Sequence, residues 1–512
     1  MPESQRSPAH WAAIVGLSVL TLGVGLGSSG RLTYHEAFVA QAAREMTATG
    51  DILTPTIGGQ PWLEKPPLAF WLVALAGKVA GGISEGVARL PSAVAAGLLI
   101  VAISVFARRR FGPGVGLLAG LVQATTVWTV MRGRLAEVDI PLACLIAWAI
   151  VAFDRLREGN EQFSPWRWVF FALLGLTGLA KGVGFGAVLI GAVVGLTVLW
   201  DRDRCTWERL RYGPGWLLAA ALGLTWPILA ALRHPSALGL WTLHITDRLS
   251  AKPEHFIGTP RWQFAAMILA HGLPWTPLVA VGAWRSLARA FRAREAGDRL
   301  LWTWSTAPLV LISLATVKSP HYAIHAMAPW SVWAALGLLR LGERWQRRGW
   351  SVAQIRRGAW LGFAGLGLTY ALGYLLLGPK FDRRGTEWAF YERAGRMLDA
   401  GEPLALLYNV PEWDREPYPS PFGPVPHDLA VRLYYLNHSA CWRFGPDDLL
   451  KQPPAAGSAF VAIGRSCDIP ALERFGQVET IAQGPSVRRD RAYCLFRVVP
   501  TRLAQAGEAQ TK

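Results

Sequence analysis

Charge is what this sequence has least of. Asp, Glu, Lys and Arg make up 17% of its 512 residues, where a soluble chain carries about 25%. With 52% hydrophobic residues and a positive mean hydropathy, an ordinary water-soluble globule is excluded. Acids are scarcer than bases, 35 against 52, which leaves a net charge of +17. Cysteine is scarce too. None of the five stands in a CxxC or Cys/His spacing, which excludes a structural zinc site. Cys144 lies in an apolar run and Cys205 in a basic loop, while Cys441, Cys467 and Cys494 allow one disulfide whose pairing the spacing does not give. No internal repeat is visible, and an inverted repeat would have pointed to a secondary transporter.

What the chain does have is apolar residues gathered into blocks. Their lengths, roughly 16–22 residues, suit helices that cross a hydrocarbon layer of ~30 Å. Eleven spanning segments are read: 11–28, 89–107, 114–131, 138–153, 168–180, 183–200, 214–232, 262–282, 301–317, 323–340 and 358–378. The first is not read as a cleaved signal peptide, because no small-x-small site precedes Tyr34-His35-Glu36 and little charge flanks it.

The positive charge raises nucleic acid as a partner, but no basic face with interleaved aromatics occurs. The arginines cluster between apolar blocks instead, at 108–110, 202–211, 285–299 and 340–357. The positive-inside rule puts those loops and the N-terminus in the cytoplasm. Loops 29–88, 132–137, 181–182, 233–261 and 318–322 then face outward, as does the chain beyond 379. The expected domains are a membrane domain, 1–378, and an extracytoplasmic domain, 379–512. The second holds strand-like runs (404–408, 459–464, 493–499) and helix-like runs (388–398, 429–436) broken by the Pro-rich stretch 411–426. That pattern predicts a small α/β domain.

Polar residues beside the spans that are not loop arginines gather on the outer side. They include His35, Glu36, Glu64, Lys65, Arg89, Arg132, Arg134, Glu137, Asp139, Lys181, His244, Arg248, His255, Lys318, His321 and Tyr322. Acids, bases and cations beside hydrocarbon are costly unless they pair or carry function. In the first outer loop, Phe38, Val39, Ala42 and Met46 recur at helical spacing, which predicts an amphipathic helix over 34–48 on the membrane surface. An extended piece at 54–57, a turn at Gly58-Gly59 and a second helix over 68–80, opened by Pro66-Pro67, follow. Lys65 precedes that helix, where its ammonium and free backbone N–H groups suit a phosphate; the alternative is a lysine snorkelling at the interface. A metal set drawn from His35, Glu36, His244, His255 and His321 is too dispersed to be read, so no metal or other cofactor is assigned.

The segment HEAFVAQAAREMTATGDILTPTIGGQPWLEKPPLAFW, followed by ARLPSA, resembles the first outer loop of the superfamily of protein O-mannosyltransferases and lipid A aminoarabinose transferases. The similarity continues through Arg132–Asp139, Lys181-Gly182, His244, Arg248, His255, Leu273-Pro274-Trp275 and KSPHY at 318–322, in order over residues 11–340. The resemblance implies the GT-C fold: an all-α polytopic membrane protein of about eleven transmembrane helices with interfacial helices in the first outer loop, joined here to a small C-terminal α/β domain. It also implies a glycosyltransferase that uses a polyprenyl-phosphate sugar donor and a lipid or protein acceptor at the outer face of the cytoplasmic membrane. Lys65 then matches the lysine that contacts the carrier phosphate. Arg89, Lys181, Arg248 and Tyr322 match phosphate- or sugar-binding positions, and Glu64, Arg134, His255 and Lys318 complete the candidate substrate-binding set. Clustered cations would stabilise the phosphate leaving group.

The chain departs from the family at the carboxylate expected to act as base. Where the family has Asp-Glu, this chain has His35-Glu36, and Phe38 and Val39 stand where Arg-Tyr is usual. His35 as base, Glu36 as base, or Glu36 in a buried salt bridge with Arg134 or Arg132 are the open readings. Asp139 is either a catalytic, acceptor-binding acid or a charge stabilised at a helix N-terminus. A transporter or flippase of lipid-linked sugars would need polar sites near mid-membrane and on both sides. A catalytically inactive relative serving as a scaffold is the other alternative.

Overall fold

Each of the eleven apolar runs carries helix, as their Leu- and Ala-rich composition favours. The computed structural model describes residues 8–158, 164–182, 184–249, 260–381, 385–399, 403–407, 429–437, 441–443, 459–484 and 492–499. Glu85–Phe111, Gly213–Arg233 and Val352–Lys380 are each long and apolar enough to cross a membrane. Three bent helix pairs raise that number to six. Pro165–Lys181 and Phe185–Asp201 are shorter, at 17 residues each, and Asp139–Glu158 bears charge at both ends.

Three runs read as continuous spans are bent in the structure. Pro113–Thr125 meets Val127–Gly133 at 58°, Trp262–His271 meets Thr276–Ala293 at 96°, and Pro320–Met327 meets Trp330–Arg347 at 61°. Proline accounts for the last two, at Pro274 and Pro329, since it lacks an N–H and clashes with the preceding turn. At the first, the hydroxyls of Thr125 and Thr126 donate to the carbonyls of Leu121 and Val122 (2.8 Å each), the back-bonding that bends helices. The breaks serve one another: Val127 N donates to Leu273 O (3.0 Å), and Trp275 Nε1 donates to Thr125 Oγ1 (3.1 Å).

Two compact units result, one holding Met1–Ser29, Asp51–Thr54 and Leu63–Pro379, the other Gly30–Gly50, Pro55–Trp62 and Lys380–Lys512. The sequence-based division assigned the whole first loop to the membrane domain, whereas Gly30–Gly50 and Pro55–Trp62 group with the tail. The reason is packing. Helix Tyr34–Thr49 buries Ala37, Phe38, Ala42, Ala43 and Met46, so the face expected to lie on the membrane is covered by protein. Leu32 N donates to Tyr435 Oη (2.7 Å), Arg31 pairs with Glu392 (2.8 Å), and Arg44 donates to the Tyr434 carbonyl (2.8 Å).

The extended piece and turn form a two-residue-per-strand hairpin, Thr56–Ile57 against Gln60–Pro61, with Gly58 and Gly59 at φ 60° and 76°. The Glu45 carboxylate fills the turn, accepting from Thr56 Oγ1 (2.7 Å), Gly58 N (2.7 Å) and Gly59 N (3.1 Å).

In the same unit, among the described residues, five strands form a sheet in the order Cys441–Arg443, Leu404–Leu407, Phe460–Arg465, Tyr493–Val499, Gln477–Gln483. The first two pairings are parallel and the last two antiparallel. Phe460, Ala462, Cys494, Phe496 and Val498 sit in its core. Burial pushes the Cys494 thiol above its ordinary pKa; it donates to the Ala492 carbonyl (3.6 Å) and is in no disulfide. The stretch 411–426 lies outside the described residues.

Candidate functional site

In the first unit, the loops at one end of the helices bring Asp139, Lys181, His321, Tyr322 and His325 together. Asp139 opens helix Asp139–Glu158, where the macrodipole favours a carboxylate. Lys181 closes helix Pro165–Lys181, where the opposite end favours a cation, and Gly182 (φ +95°) turns the chain immediately after it. Each charge is thus stabilised by its own helix before the two meet. The Lys181 ammonium hydrogen-bonds Asp139 Oδ1 and lies 4.0 Å above the Tyr322 ring, a cation–π contact. His321 Nε2 approaches Asp139 Oδ2 at 3.8 Å. Lys65, half-buried and three residues before helix Leu68–Ala80, lies within electrostatic range of His321.

His325, which the sequence analysis did not single out, is buried beside this pair. Its ring stands 5.7 Å from that of Phe185, and Lys181 and Asp139 both act on it electrostatically. Neither of its ring nitrogens has a hydrogen-bond partner among the described residues. The signal was available: His321 and His325 are four apart, the spacing that puts two side chains on one helical face.

Other expected substrate ligands are used differently. Arg89 is buried and donates to the Leu26 carbonyl (3.1 Å) and Ser29 Oγ (3.2 Å). Arg134 is buried and donates to the carbonyls of Thr21 (3.1 Å) and Val24 (2.8 Å), its guanidinium 4.0 Å above the Tyr374 ring. Arg134 therefore holds the end of the first helix at the π-helical turn Val19–Gly23, and Arg89 the turn that follows it. Arg132 pairs with Glu137 (2.8 Å). Lys318 donates to the Ala315 carbonyl (2.8 Å) just past helix Ala296–Leu314. Glu64 is half-buried beside Lys65. Arg248 lies on helix Ala237–Leu249 with its side chain outside the described ones, and His255 lies outside the described residues.

In the second unit, His35 and Glu36 occupy the first turn of helix Tyr34–Thr49. Glu36 is buried and completes a capping box: its carboxylate accepts from Thr33 N (2.9 Å) while its own N–H donates to Thr33 Oγ1 (3.4 Å). In the first unit, Arg132 and Arg134 bind Glu137 and backbone carbonyls. His35 is exposed, its ring 4.0 Å from that of Tyr34.

Comparison with known proteins gives a consistent result. Residues 64–229 match the family model described as dolichyl-phosphate-mannose-protein mannosyltransferase. The undecaprenyl phosphate-alpha-4-amino-4-deoxy-L-arabinose arabinosyl transferase of Edwardsiella ictaluri is 30% identical over 343 residues, 65% of this chain and 60% of that protein. A second transferase of the same name, from Pseudomonas fluorescens, is 27% identical over 342 residues, 62% and 58% of the two chains. The alignment thus spans about three-fifths of these relatives' own length. Among solved structures, ArnT from Cupriavidus metallidurans bound to undecaprenyl phosphate superimposes with a TM-score of 0.75 at 19% identity, over 97% of this chain and 98% of that one. The apo oligosaccharyltransferase of Archaeoglobus fulgidus gives 0.53 at 11% identity, over 93% and 74%. The fold is that of the GT-C membrane glycosyltransferases, and the chain resembles the aminoarabinose transferases and protein O-mannosyltransferases among them.

Proposed function

We propose that this chain is a membrane glycosyltransferase that takes a sugar from an undecaprenyl-phosphate-type donor and passes it to an acceptor at the outer face of the cytoplasmic membrane. The relatives named as undecaprenyl-phosphate aminoarabinose transferases support the donor class, and a lipid acceptor fits the aminoarabinose-transferase-like first loop. A protein hydroxyl is the acceptor on the mannosyltransferase branch. The observation that carries the reading is the Asp139–Lys181–His321 cluster with Lys65 in electrostatic range. As the glycosidic bond breaks, negative charge grows on the carrier phosphate, and pre-placed ammonium groups stabilise it most when water is excluded. Asp139 orients the Lys181 ammonium toward the arriving phosphate. Arg248 and Tyr322 complete the donor site, and His255 belongs to the same outer loop set.

The topology that goes with this function has eleven spans, the N-terminus in the cytoplasm and residues 379–512 outside as an α/β domain that assists acceptor or partner binding. We assign the base to His35 rather than Glu36, because Glu36 is buried in its capping box while His35 is exposed. An imidazole accepts a proton only when neutral, so the rate should rise with pH through about 6–7. His35→Asp should retain activity and lose that rise.

Lys65→Ala tests the donor site directly. With the full chain in detergent and an undecaprenyl-phosphate-linked sugar, donor affinity is expected to fall roughly tenfold, since a charge-assisted hydrogen bond contributes about 1.5–3 kcal/mol. Unchanged affinity would reduce Lys65 to an anchor of the loop and remove it from the donor site.

A further inference from the structure

The turn joining helices Trp330–Arg347 and Val352–Leu372 is built unlike the other basic loops. Between residues 340 and 357 stand six arginines and one acid. That acid, Glu343, pairs with Arg340. Arg344, Arg347, Arg348, Arg356 and Arg357 are in no ion pair among the described residues, and all are exposed. Gly349 (φ +91°) makes the turn tight, and Ser351 caps the second helix by accepting from Gln354 N (3.2 Å). Trp345 and Trp350 flank the turn, their rings 6.1 Å apart, and Trp350 is 54% exposed.

The second helix continues as the apolar span Val352–Lys380, whose apolar 18-residue stretch is only 17% buried. Leu361 is 65% exposed and Leu368 and Leu372 are 51% exposed each. One continuous surface therefore runs from a bare aliphatic flank, through tryptophan, to a group of unneutralised guanidiniums. A soluble acidic protein would satisfy only the cations, and an apolar partner helix only the flank. An amphiphile with an anionic headgroup satisfies both: acyl chains along the leucines, phosphate against the planar guanidinium donors, tryptophan at the boundary between them.

We propose that this hairpin is a binding site for an anionic phospholipid of the surrounding membrane, separate from the donor site. The site is formed by the guanidiniums of Arg344, Arg347 and Arg348 on one side and of Arg356 and Arg357 on the other. It rests on the membrane-spanning reading of Val352–Lys380, which alkaline carbonate extraction tests by itself. Release of the chain from membranes would remove that reading and this site together.

For a chain retained in membranes, the test is lipid counting. The full chain is purified in detergent, titrated with phosphatidylglycerol or phosphatidylcholine, and examined by native mass spectrometry. It is expected to hold phosphatidylglycerol about tenfold or more tightly, since each arginine near an anionic surface contributes appreciably to binding. Arg344→Gln/Arg347→Gln/Arg348→Gln should abolish the preference, and Arg356→Gln/Arg357→Gln should reduce it. Arg292→Gln, in a different basic loop, should leave it intact. All are surface changes whose unfolding midpoint should match the parent chain. Equal binding of the two lipids by the parent chain, or an undiminished preference in both hairpin variants, overturns the proposal. An equal loss in Arg292→Gln overturns the location of the site.

Discussion

Helix Asp139–Glu158 carries a charge cluster at each end, roughly 22 Å apart by helical rise, and the two are built on opposite principles. At its C-terminal end, Asp154 is 1% exposed and accepts two hydrogen bonds from Arg110 Nε (2.8 and 3.0 Å), with Arg109 Nε at 3.3 Å. Glu158 pairs with the same two arginines. Arg157 pairs with Asp201, which also accepts from Arg299 (2.7 Å), and Arg209 donates to the carbonyls of Leu156 (2.9 Å) and Arg157 (2.7 Å). Here Asp154, Glu158 and Asp201 each meet two guanidiniums, and their ion pairs tie four helices, with Arg209 joining a fifth. At the N-terminal end, one carboxylate faces a lysine and two imidazoles, and both nitrogens of His325 have no hydrogen-bond partner among the described residues. Arginines that were readable only as orientation signals thus hold helices together, while the thinly populated end makes fewer such ties.

The sharpest way to break this contrast is Asp154→Asn. It removes the buried partner of a charge pair and leaves Arg109 and Arg110 with Glu158 alone; breaking a buried pair typically costs about 3–5 kcal/mol. A large drop in the unfolding midpoint in detergent is expected, and a midpoint close to the parent's would deny the lattice its structural role. Asp139→Asn should behave in the opposite way. Folding should survive, because a single ion pair is lost and the Lys181 ammonium keeps its contact with the Tyr322 ring, while transfer falls roughly 100-fold as Lys181 loses its orientation. Equal damage to stability and activity would erase the distinction.

His325→Phe sharpens it further. The ring volume is kept and two unpaired polar atoms leave a buried site, so stability should hold or rise slightly. Transfer should nevertheless drop by about tenfold if the imidazole faces substrate. Full activity would class His325 as packing.

The smallest effect belongs to Asp51. Burial raises its carboxyl, but the N–H groups of Thr54 and Leu53 and the Arg233 guanidinium (2.9 Å) outweigh this and leave it below the ordinary carboxylate value. A folded pKa below the unfolded one gives stability that is present above about pH 4 and lost as pH falls through the folded value. With Arg233 half exposed and screened, the contribution should stay under about 1 kcal/mol. Asp51→Asn should therefore alter the acid limb of an unfolding-against-pH curve slightly and leave neutral pH almost untouched.

Helices in the first unit were legible because an apolar run in lipid has few alternatives to helix. Their bends were not, since a proline or a threonine pair is tolerated in a straight helix until a neighbour such as Leu273 offers an acceptor to the freed N–H. In the tail, Tyr493–Val499 and Phe460–Arg465 stood out as buried strands, whereas Gln477–Gln483 is largely polar on an edge and gave no signal. At the site, Lys65, Asp139 and Lys181 were visible as charges in outer loops, but not that the last two pair. Arg89 and Arg134 stood among the substrate-binding candidates, and a sequence cannot separate a guanidinium that meets a ligand from one that meets carbonyls. The capping role of Glu36 was latent in Thr33-Tyr34-His35-Glu36, a Ser/Thr-x-x-Glu pattern.

The hydrogen bond from Arg44 to Tyr434 joins residues 390 positions apart in the chain. At a ribosomal rate of about 5–20 residues per second, helix Tyr34–Thr49 emerges roughly 20–80 s before the segment that covers it. Throughout that interval the nascent chain displays the helix face around Arg44 without its final cover. Biogenesis of this protein therefore has a waiting period written into its topology. A membrane surface or a chaperone must shelter the helix until the last quarter of the chain arrives, and a ribosome stalled near residue 400 would strand it.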